Sequence, residues 1–233
     1  MVSVIIFALN EEASIVKVIE IAKKCAMVNE IIVVDDHSFD NTVSLAKQAG
    51  ASVIISPRWG KGASMLDGML VATNQVLVYL DADISDYKNN LVEMLVKPIL
   101  EEGFDFVKST FARQAGRVTE LAAKPLLSLL FPATMEFSQP LSGMIAAKRQ
   151  FLEKVDFEND YGVDIGILLD MINQGAKIKQ VDIGVIENKM KPWQQLGSMA
   201  REVSKAILKR AKMQPAFTLD TLQTTTMILD QMD

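Results

Sequence analysis

Over its first 110 residues this chain alternates short Val- and Ile-rich runs with segments of helical spacing. Val2–Ala8, Glu30–Val34, Ser52–Ile55, Gln75–Leu80 and Phe104–Lys108 read as strands. Near-continuous apolar runs of this length suit strands buried on both faces. Between them, Ile15, Ile19 and Ala22 recur at helical spacing behind Asn10, a good N-cap residue. Thr42–Ala49 reads as a helix that Gly50 can end, and further helices are expected near Ala63–Ala72 and over Lys88–Glu102. The alternation predicts a parallel α/β sheet with right-handed crossovers. Such sheets bind ligands at the carboxyl ends of their strands. Three polar clusters, Asn10–Glu12, Asp35–His37 and Asp81–Asp83, fall at those ends and should share one rim.

The second half is less regular. Val118–Leu130 and Tyr161–Asn173 read as helices and Ile178–Ile186 as a strand. Gln194–Lys212 is an amphipathic helix with Leu196, Met199, Val203 and Ile207 on one face and Arg201, Lys205 and Lys209 on another. Residues 217–233 are expected to form a last helix, serving as a dimer arm. A chain of 233 residues fits one large domain or two small ones, and with neither a linker nor a repeat we expect one domain over 1–213 and a tail over 214–233.

Composition narrows the chemistry. One cysteine, Cys25, excludes an internal disulfide and a CxxC site; it sits at an apolar-rich helical position and is expected in the core. One histidine, His37, excludes any site that needs two, and it reads as a capping or solvated loop residue. Catalysis must then rest on carboxylates, hydroxyls, Lys and Arg, or a metal held by oxygen. The N-terminal apolar run is short and meets Glu11 and Glu12, so it reads as a strand and not a leader. Leu121–Met135 is broken by Lys124, Pro125 and Pro132 and is too short to span a bilayer. These features point to the cytoplasm. Residues 187–213 carry seven basic residues against two glutamates, in a chain of net charge −5. Most of that excess is expected to be a solvated helix face. The acidity of the rest speaks against nucleic acid as a partner.

Four motifs carry candidate chemistry. Asp81-Ala82-Asp83 just past a strand can hold Mg²⁺ or Mn²⁺, the remaining ligands coming from phosphate oxygens and water. An isolated pair of this kind is usually a turn with solvated acids, and its place on the shared rim is what sets it apart. In Asp35–Thr42, the first acids could accept hydrogen bonds from a base or ribose, while Ser38, Asp40 and Thr42 suit capping of the next helix. Gly60-Lys61-Gly62 precedes a helix, where glycines let backbone approach a ligand and Lys61 could face phosphate; taken alone, a plain turn is the better reading. Gly116-Arg117-Val118-Thr119-Glu120 places an Arg and a hydroxyl at a helix start, either a clamp for an anionic group or an ordinary first turn with a surface Arg.

Taken together, FALNEE, VVDDHSFDNT, GKGASM and YLDAD resemble the nucleotide-sugar half of family 2-like glycosyltransferases with the GT-A fold. GRVTELAAKPLL, QPLSG, YGVDIGIL and ENKMKPWQQLGSMAREV look like the glucosyl-3-phosphoglycerate synthases and their mannosyl relatives. The resemblance covers about residues 2–212. It implies a nucleotide-sugar half over 1–110 and an acceptor half over 111–213. It implies retaining transfer of a hexose from UDP-glucose or GDP-mannose to a small anionic acceptor, 3-phosphoglycerate, with Mg²⁺ or Mn²⁺. Ala8, Leu9 and Glu11 would contact the nucleoside, Asp36 the base, Lys61 the nucleotide and Asp81 the ribose or sugar. Asp83 would hold the metal. Gly116, Arg117 and Thr119 would clamp the acceptor phosphate, and Leu141, Ser142 and Gly143 would line the sugar pocket with Asp164 near the reacting hydroxyls. Asp83, Asp164 and Arg117 are thus the expected catalytic set.

The chain departs from that family pattern in places. Phe7 stands where a proline is usual, Asp164 replaces a glutamate, and Lys189 matches a basic residue only in charge. Asn188 replaces the metal-binding histidine, which predicts an oxygen-rich site that prefers Mg²⁺ to softer ions. The rival readings are a polyprenyl-phosphate sugar transferase whose basic helix lies on a membrane, and a nucleotide-sugar-binding protein without catalysis. A nucleotidyltransferase would need an early Gly-rich loop that FALNEEA lacks.

Overall fold

The computed structural model describes residues 1–84, 87–112, 116–186 and 193–212, with backbone alone for 193–195. Its elements are β1 (Val2–Ala8), α1 (Ile15–Lys23), β2 (Val28–Asp35), α2 (Thr42–Gln48), β3 (Ser52–Ile55), α3 (Lys61–Val71), β4 (Val76–Asp81), α4 (Leu91–Glu101) and β5 (Phe106–Ala112). They continue with a π-helical turn (Thr119–Ala123) running into α5 (Lys124–Leu130), a 3₁₀ turn (Pro132–Glu136), β6 (Ile145–Lys148), α6 (Arg149–Leu152), α7 (Val163–Asn173), β7 (Ile178–Val185) and α8 (Trp193–Arg210). The strands form one sheet in the order β3-β2-β1-β4-β6-β5-β7.

The α/β expectation holds with one insertion. All neighbouring pairs are parallel except β6, which runs antiparallel between β4 and β5. Strand order reverses at β1, which pairs with β2 on one side and β4 on the other, so the crevice of an open α/β sheet opens there. Register places Ala8 beside Asp35 and Phe7 beside Asp81, which brings the ends of three strands level.

Both faces of the sheet are buried. Val4 and Ile6 pack with Ile15, Ile19 and Leu95 on one side, while Ile5 and Val34 pack with Met65, Leu168 and Ile207 on the other. Cys25 is buried in the first of these clusters, as expected. A Cβ on Gly68 would strike Ile5, so α3 lies close against β1 and holds its first turn beside the strand ends.

Several boundaries shift for physical reasons. Asn10 is not an N-cap: it turns with φ 57°, and α1 starts only at Ile15. The segment before that helix is committed elsewhere. Asn10 N–H donates to Ser38 Oγ (2.8 Å), Glu11 N–H to Thr42 Oγ1 (2.8 Å) and Glu12 N–H to Asp40 Oδ2 (3.1 Å), while Phe39 N–H donates back to Asn10 Oδ1 (2.8 Å). This zipper ties the loop after β1 to the loop after β2. Asp40 Oδ1 also accepts the Thr42 N–H, so capping and loop pairing share these residues. The expected helix Lys88–Glu102 begins at Leu91. The expected helix Val118–Leu130 passes through the π-helical turn, where Lys124 N–H reaches Thr119 O; Pro125 has no N–H to continue the regular ladder.

α8 packs Val203, Ala206 and Ile207 into the core. Its last basic residues are neutralised within the fold. Arg210 holds both Asp170 carboxylate oxygens (2.8 and 2.7 Å) and Glu158 (2.8 Å), and Lys209 pairs with Asp156 (2.6 Å) and Glu158 (2.9 Å). Arg201 and Lys205 are exposed, as a solvated face requires. No helix of the described residues is long and apolar enough to cross a membrane. Residues 213–233, which include the expected tail helix, lie outside the described residues.

Candidate active site

Two cavities open at the carboxyl ends of β1 and β4. The larger, about 400 Å³, is lined by Phe7, Ala8, Leu9, Glu11, Asp36, Lys61, Ser64, Asp81, Ala82, Asp83 and Tyr161. The smaller, about 170 Å³, is lined by Lys61, Asp81, Asp83, Phe111, Gly116, Arg117, Val118, Thr119, Gln139, Leu141, Tyr161, Asp164, Leu196 and Met199. Lys61, Asp81, Asp83 and Tyr161 belong to both and form the wall between them. Every nucleotide-side residue expected from sequence is in the larger cavity, and the expected acceptor clamp Gly116, Arg117 and Thr119 is in the smaller.

The wall is a charge cluster. Lys61 Nζ lies 2.7 Å from Asp164 Oδ2 and 3.2 Å from Asp81 Oδ1, and 4.8 Å from the centre of the Phe7 ring. Burial opposes the Lys61 charge, but the two carboxylates beside it win and hold its ammonium well above the usual lysine range. Burial pushes the Asp164 carboxyl up, with Lys61 and Lys108 opposing and Asp81 adding to the rise. Asp164 Oδ1 is buried without a protein partner. Gly143 is what lets this cluster form, since a Cβ there would stand 2.5 Å from Lys61 Nζ and 3.0 Å from Asp81 Oδ1.

The Gly60–Gly62 stretch differs from the ligand-approach reading of its glycines. The helix amides are not offered to a phosphate: Gly62 and Ala63 N–H donate to Asn159 O at 3.0 and 3.1 Å. The glycines admit this protein backbone and not a ligand. Gly60 has φ 114°, and a Cβ on Gly60 or Gly62 would collide with the carbonyls of Asn159 and Glu158. Gly62→Ala should therefore cost on the order of 2–3 kcal/mol through overpacking. Thermal melting should fall by several degrees, and an unchanged melting temperature would contradict the close approach.

At the rim of the larger cavity, Asp36 accepts the Gly60 N–H at 3.2 Å through both carboxylate oxygens, and its pKa is raised by burial. His37, at φ 67°, stacks on Trp59 with ring centres 4.2 Å apart. This is more than the solvated loop role expected of it, for the stack ties the end of β2 to the turn before Lys61. Asp35 is buried and accepts Ser38 N–H at 3.0 Å, so it supports the loop beneath Asp36.

Leu141 lines the smaller cavity, but Ser142 lies one layer below. Its Oγ is 2.6 Å from Ser109 Oγ and its carbonyl accepts Lys108 Nζ at 2.8 Å. Sequence reasoning missed Tyr161, Phe111, Gln139, Leu196, Met199 and Ser64 as lining residues, and Lys108 as the buried base of the site. Only the apolar face of α8 hinted at Leu196 and Met199.

Asp83 is exposed on the rim where the cavities meet. Among the described residues, no three His, Cys, Asp or Glu side chains gather into a cage. A rim carboxylate with an open cavity on each side suits a hard cation that shares its ligands with a diphosphate, and does not suit a closed all-protein metal site. Asn188 and Lys189, the other expected metal and basic positions, lie outside the described residues.

Residues 3–156 match the model of Glycosyl transferase family 2. The chain is 35% identical over 236 residues to glucosyl-3-phosphoglycerate synthase of Mycobacterium tuberculosis, covering 90% of this chain and 73% of that protein. The crystal structure of that synthase with Mn²⁺, UDP-glucose and phosphoglyceric acid superimposes with a TM-score of 0.88 at 35% identity, over 93% of this chain and 81% of the other. A second crystal structure of it, with Mg²⁺ and UDP, gives a TM-score of 0.88 at 36% identity over the same shares.

Proposed function

The chain belongs to glycosyl transferase family 2, and from that premise we propose that it is a glucosyl-3-phosphoglycerate synthase, moving glucose from UDP-glucose to 3-phosphoglycerate. One observation carries the assignment: two cavities of different character meet at the Lys61, Asp81, Asp83 and Tyr161 wall. A donor in the larger and an acceptor in the smaller would bring their reacting atoms to that wall. Glucose C1 forms a bond to the acceptor 2-hydroxyl oxygen with retention, its bond to the diphosphate oxygen breaks, UDP leaves with the electron pair, and the hydroxyl proton passes to the departing diphosphate.

The residues divide this work by position. Ala8, Leu9, Glu11 and Asp36 receive the nucleoside. Asp81 and Asp164 accept hydrogen bonds from sugar hydroxyls, and the unpartnered Oδ1 of Asp164 has the capacity to do so. Asp83, with Asn188, would hold Mg²⁺ or Mn²⁺, which when bound supplies charge neutralisation for the departing diphosphate. Arg117 and Thr119 line the smaller cavity at the start of a helical stretch, where a guanidinium and a hydroxyl favour a phosphate. Both proposed substrates are charged and water-soluble, which suits action in the cytoplasm.

The test is UDP release with each donor and acceptor supplied alone and together, in Mg²⁺ or Mn²⁺. Release with UDP-glucose should depend on 3-phosphoglycerate, whereas equal release without it would overturn the assignment. Arg117→Met should raise the KM for 3-phosphoglycerate by about 10- to 100-fold, the weight of a charge-assisted hydrogen bond. The KM for UDP-glucose should barely move. An unchanged acceptor KM would remove Arg117 from the clamp.

A further inference from the structure

Lys108 is a buried cation with no role in the transfer as described so far. It lies on β5 with 1% exposure, directly beneath the wall between the cavities. Its ammonium donates to two main-chain carbonyls, Ser142 O at 2.8 Å and Asp164 O at 3.4 Å. Among the described residues no carboxylate lies within ion-pair distance of it. A buried ammonium held only by carbonyls is costly, so the fold retains it against a simpler apolar alternative.

The two carbonyls belong to the two segments that build the sugar side of the site. Ser142 precedes Gly143, whose backbone stands against Lys61, Asp81 and Asp164. Asp164 sits in the first turn of α7. We propose that Lys108 is a positioning residue for the glucosyl group: by bridging these carbonyls it sets the Gly143 backbone and the Asp164 carboxylate at the spacing the sugar requires. The proposal rests on the donor being UDP-glucose.

The charged groups facing Lys108 are Asp164 from α7, Lys61 from α3 and Asp81 from β4. Burial and Lys61 disfavour its charge and the two carboxylates favour it; burial dominates, and the ammonium is pushed down to about 8. As pH rises through that value the bridge loses its charge, and binding of the sugar should weaken while binding of the nucleotide does not.

The experiment uses Lys108→Met and Lys108→Gln in the full chain, with UDP and UDP-glucose binding by calorimetry and kcat/KM from pH 6.5 to 9.5. UDP affinity should stay within about twofold of the parent, while kcat/KM for UDP-glucose falls about 10²-fold in the Met variant, the effect expected of a small misplacement. Lys108→Gln, which still donates to carbonyls, should recover part of that loss and lack the alkaline limb near pH 8. An unchanged kcat/KM in Lys108→Met would overturn the proposal, as would equal loss of UDP and UDP-glucose binding. If neither variant folds, the parent decides: an alkaline limb near pH 8 in UDP-glucose binding but not in UDP binding supports the bridge, and its absence contradicts it. Failure of glucosyl transfer by the parent would count against the proposed function alone, since the paired binding measurements still test Lys108.

Discussion

Asp83→Asn should fold like the parent and transfer glucose on the order of 10³-fold more slowly, roughly 4 kcal/mol of lost transition-state stabilisation. The size follows from the work assigned to this position. One further negative charge develops on the already anionic diphosphate as UDP departs, and Asp83 is the rim carboxylate that would hold the ion neutralising it. Asparagine keeps the shape and one oxygen but removes the charge. The side chain is exposed, so stability should change by no more than about 0.5 kcal/mol. Melting curves and kcat measured on the same preparation check both halves. A variant that keeps more than a tenth of the parent's kcat would remove Asp83 from the metal site.

Lys61→Met should do the opposite on one axis and the same on the other. Lys61 is the cation between Asp81 and Asp164, with side-chain exposures of 12%, 19% and 4%. Removing it leaves two carboxylates facing each other in a poorly solvated wall. Breaking such a pair from one side costs about 3–5 kcal/mol. For a chain of this length that is a melting temperature lower by roughly 10 °C. Turnover should collapse as well, because the wall between the cavities is then misformed. Folding raises the pKa of Lys61, so its stabilisation is fully present below the unfolded value of about 10.4 and is lost as pH rises toward the higher folded value. The difference between parent and variant should hold through neutral pH and shrink only in strong alkali. Equal melting temperatures at pH 7 would contradict the buried cluster.

The contrast between these variants separates what the sequence could show from what it could not. Val2–Ala8 and Glu30–Val34 were legible because a strand buried on both faces must be almost continuously apolar, and the polar clusters that follow them stand out. The shared rim followed from topology alone. β6 was not legible: Ile145–Lys148 is four residues long and half alanine, which favours helix as readily as strand. The partners of Lys61 were hidden for another reason. Asp164 is 103 residues away, and no local pattern marks two such positions as neighbours. GKG left a plain turn and a phosphate-facing lysine both open, and only the fold reveals that the Asn159 carbonyl takes the helix amides. Lys108 is the hardest case. A lysine at the end of an apolar run reads as a solvent-facing strand residue, and only the packing of Ser142 and Asp164 over it shows otherwise. The family motifs supplied Asp83, Arg117 and Asp164 by resemblance; the structure adds that these three stand around one wall between two cavities.

Proton NMR of the purified chain with UDP-glucose, 3-phosphoglycerate and Mg²⁺ follows the anomeric proton of the donor directly. The predicted result is its replacement by a new anomeric signal with the small coupling of an α-glucoside, appearing in step with UDP and only when 3-phosphoglycerate is present. Loss of the donor signal to free glucose alone, or its persistence in the presence of acceptor and either Mg²⁺ or Mn²⁺, would contradict the account.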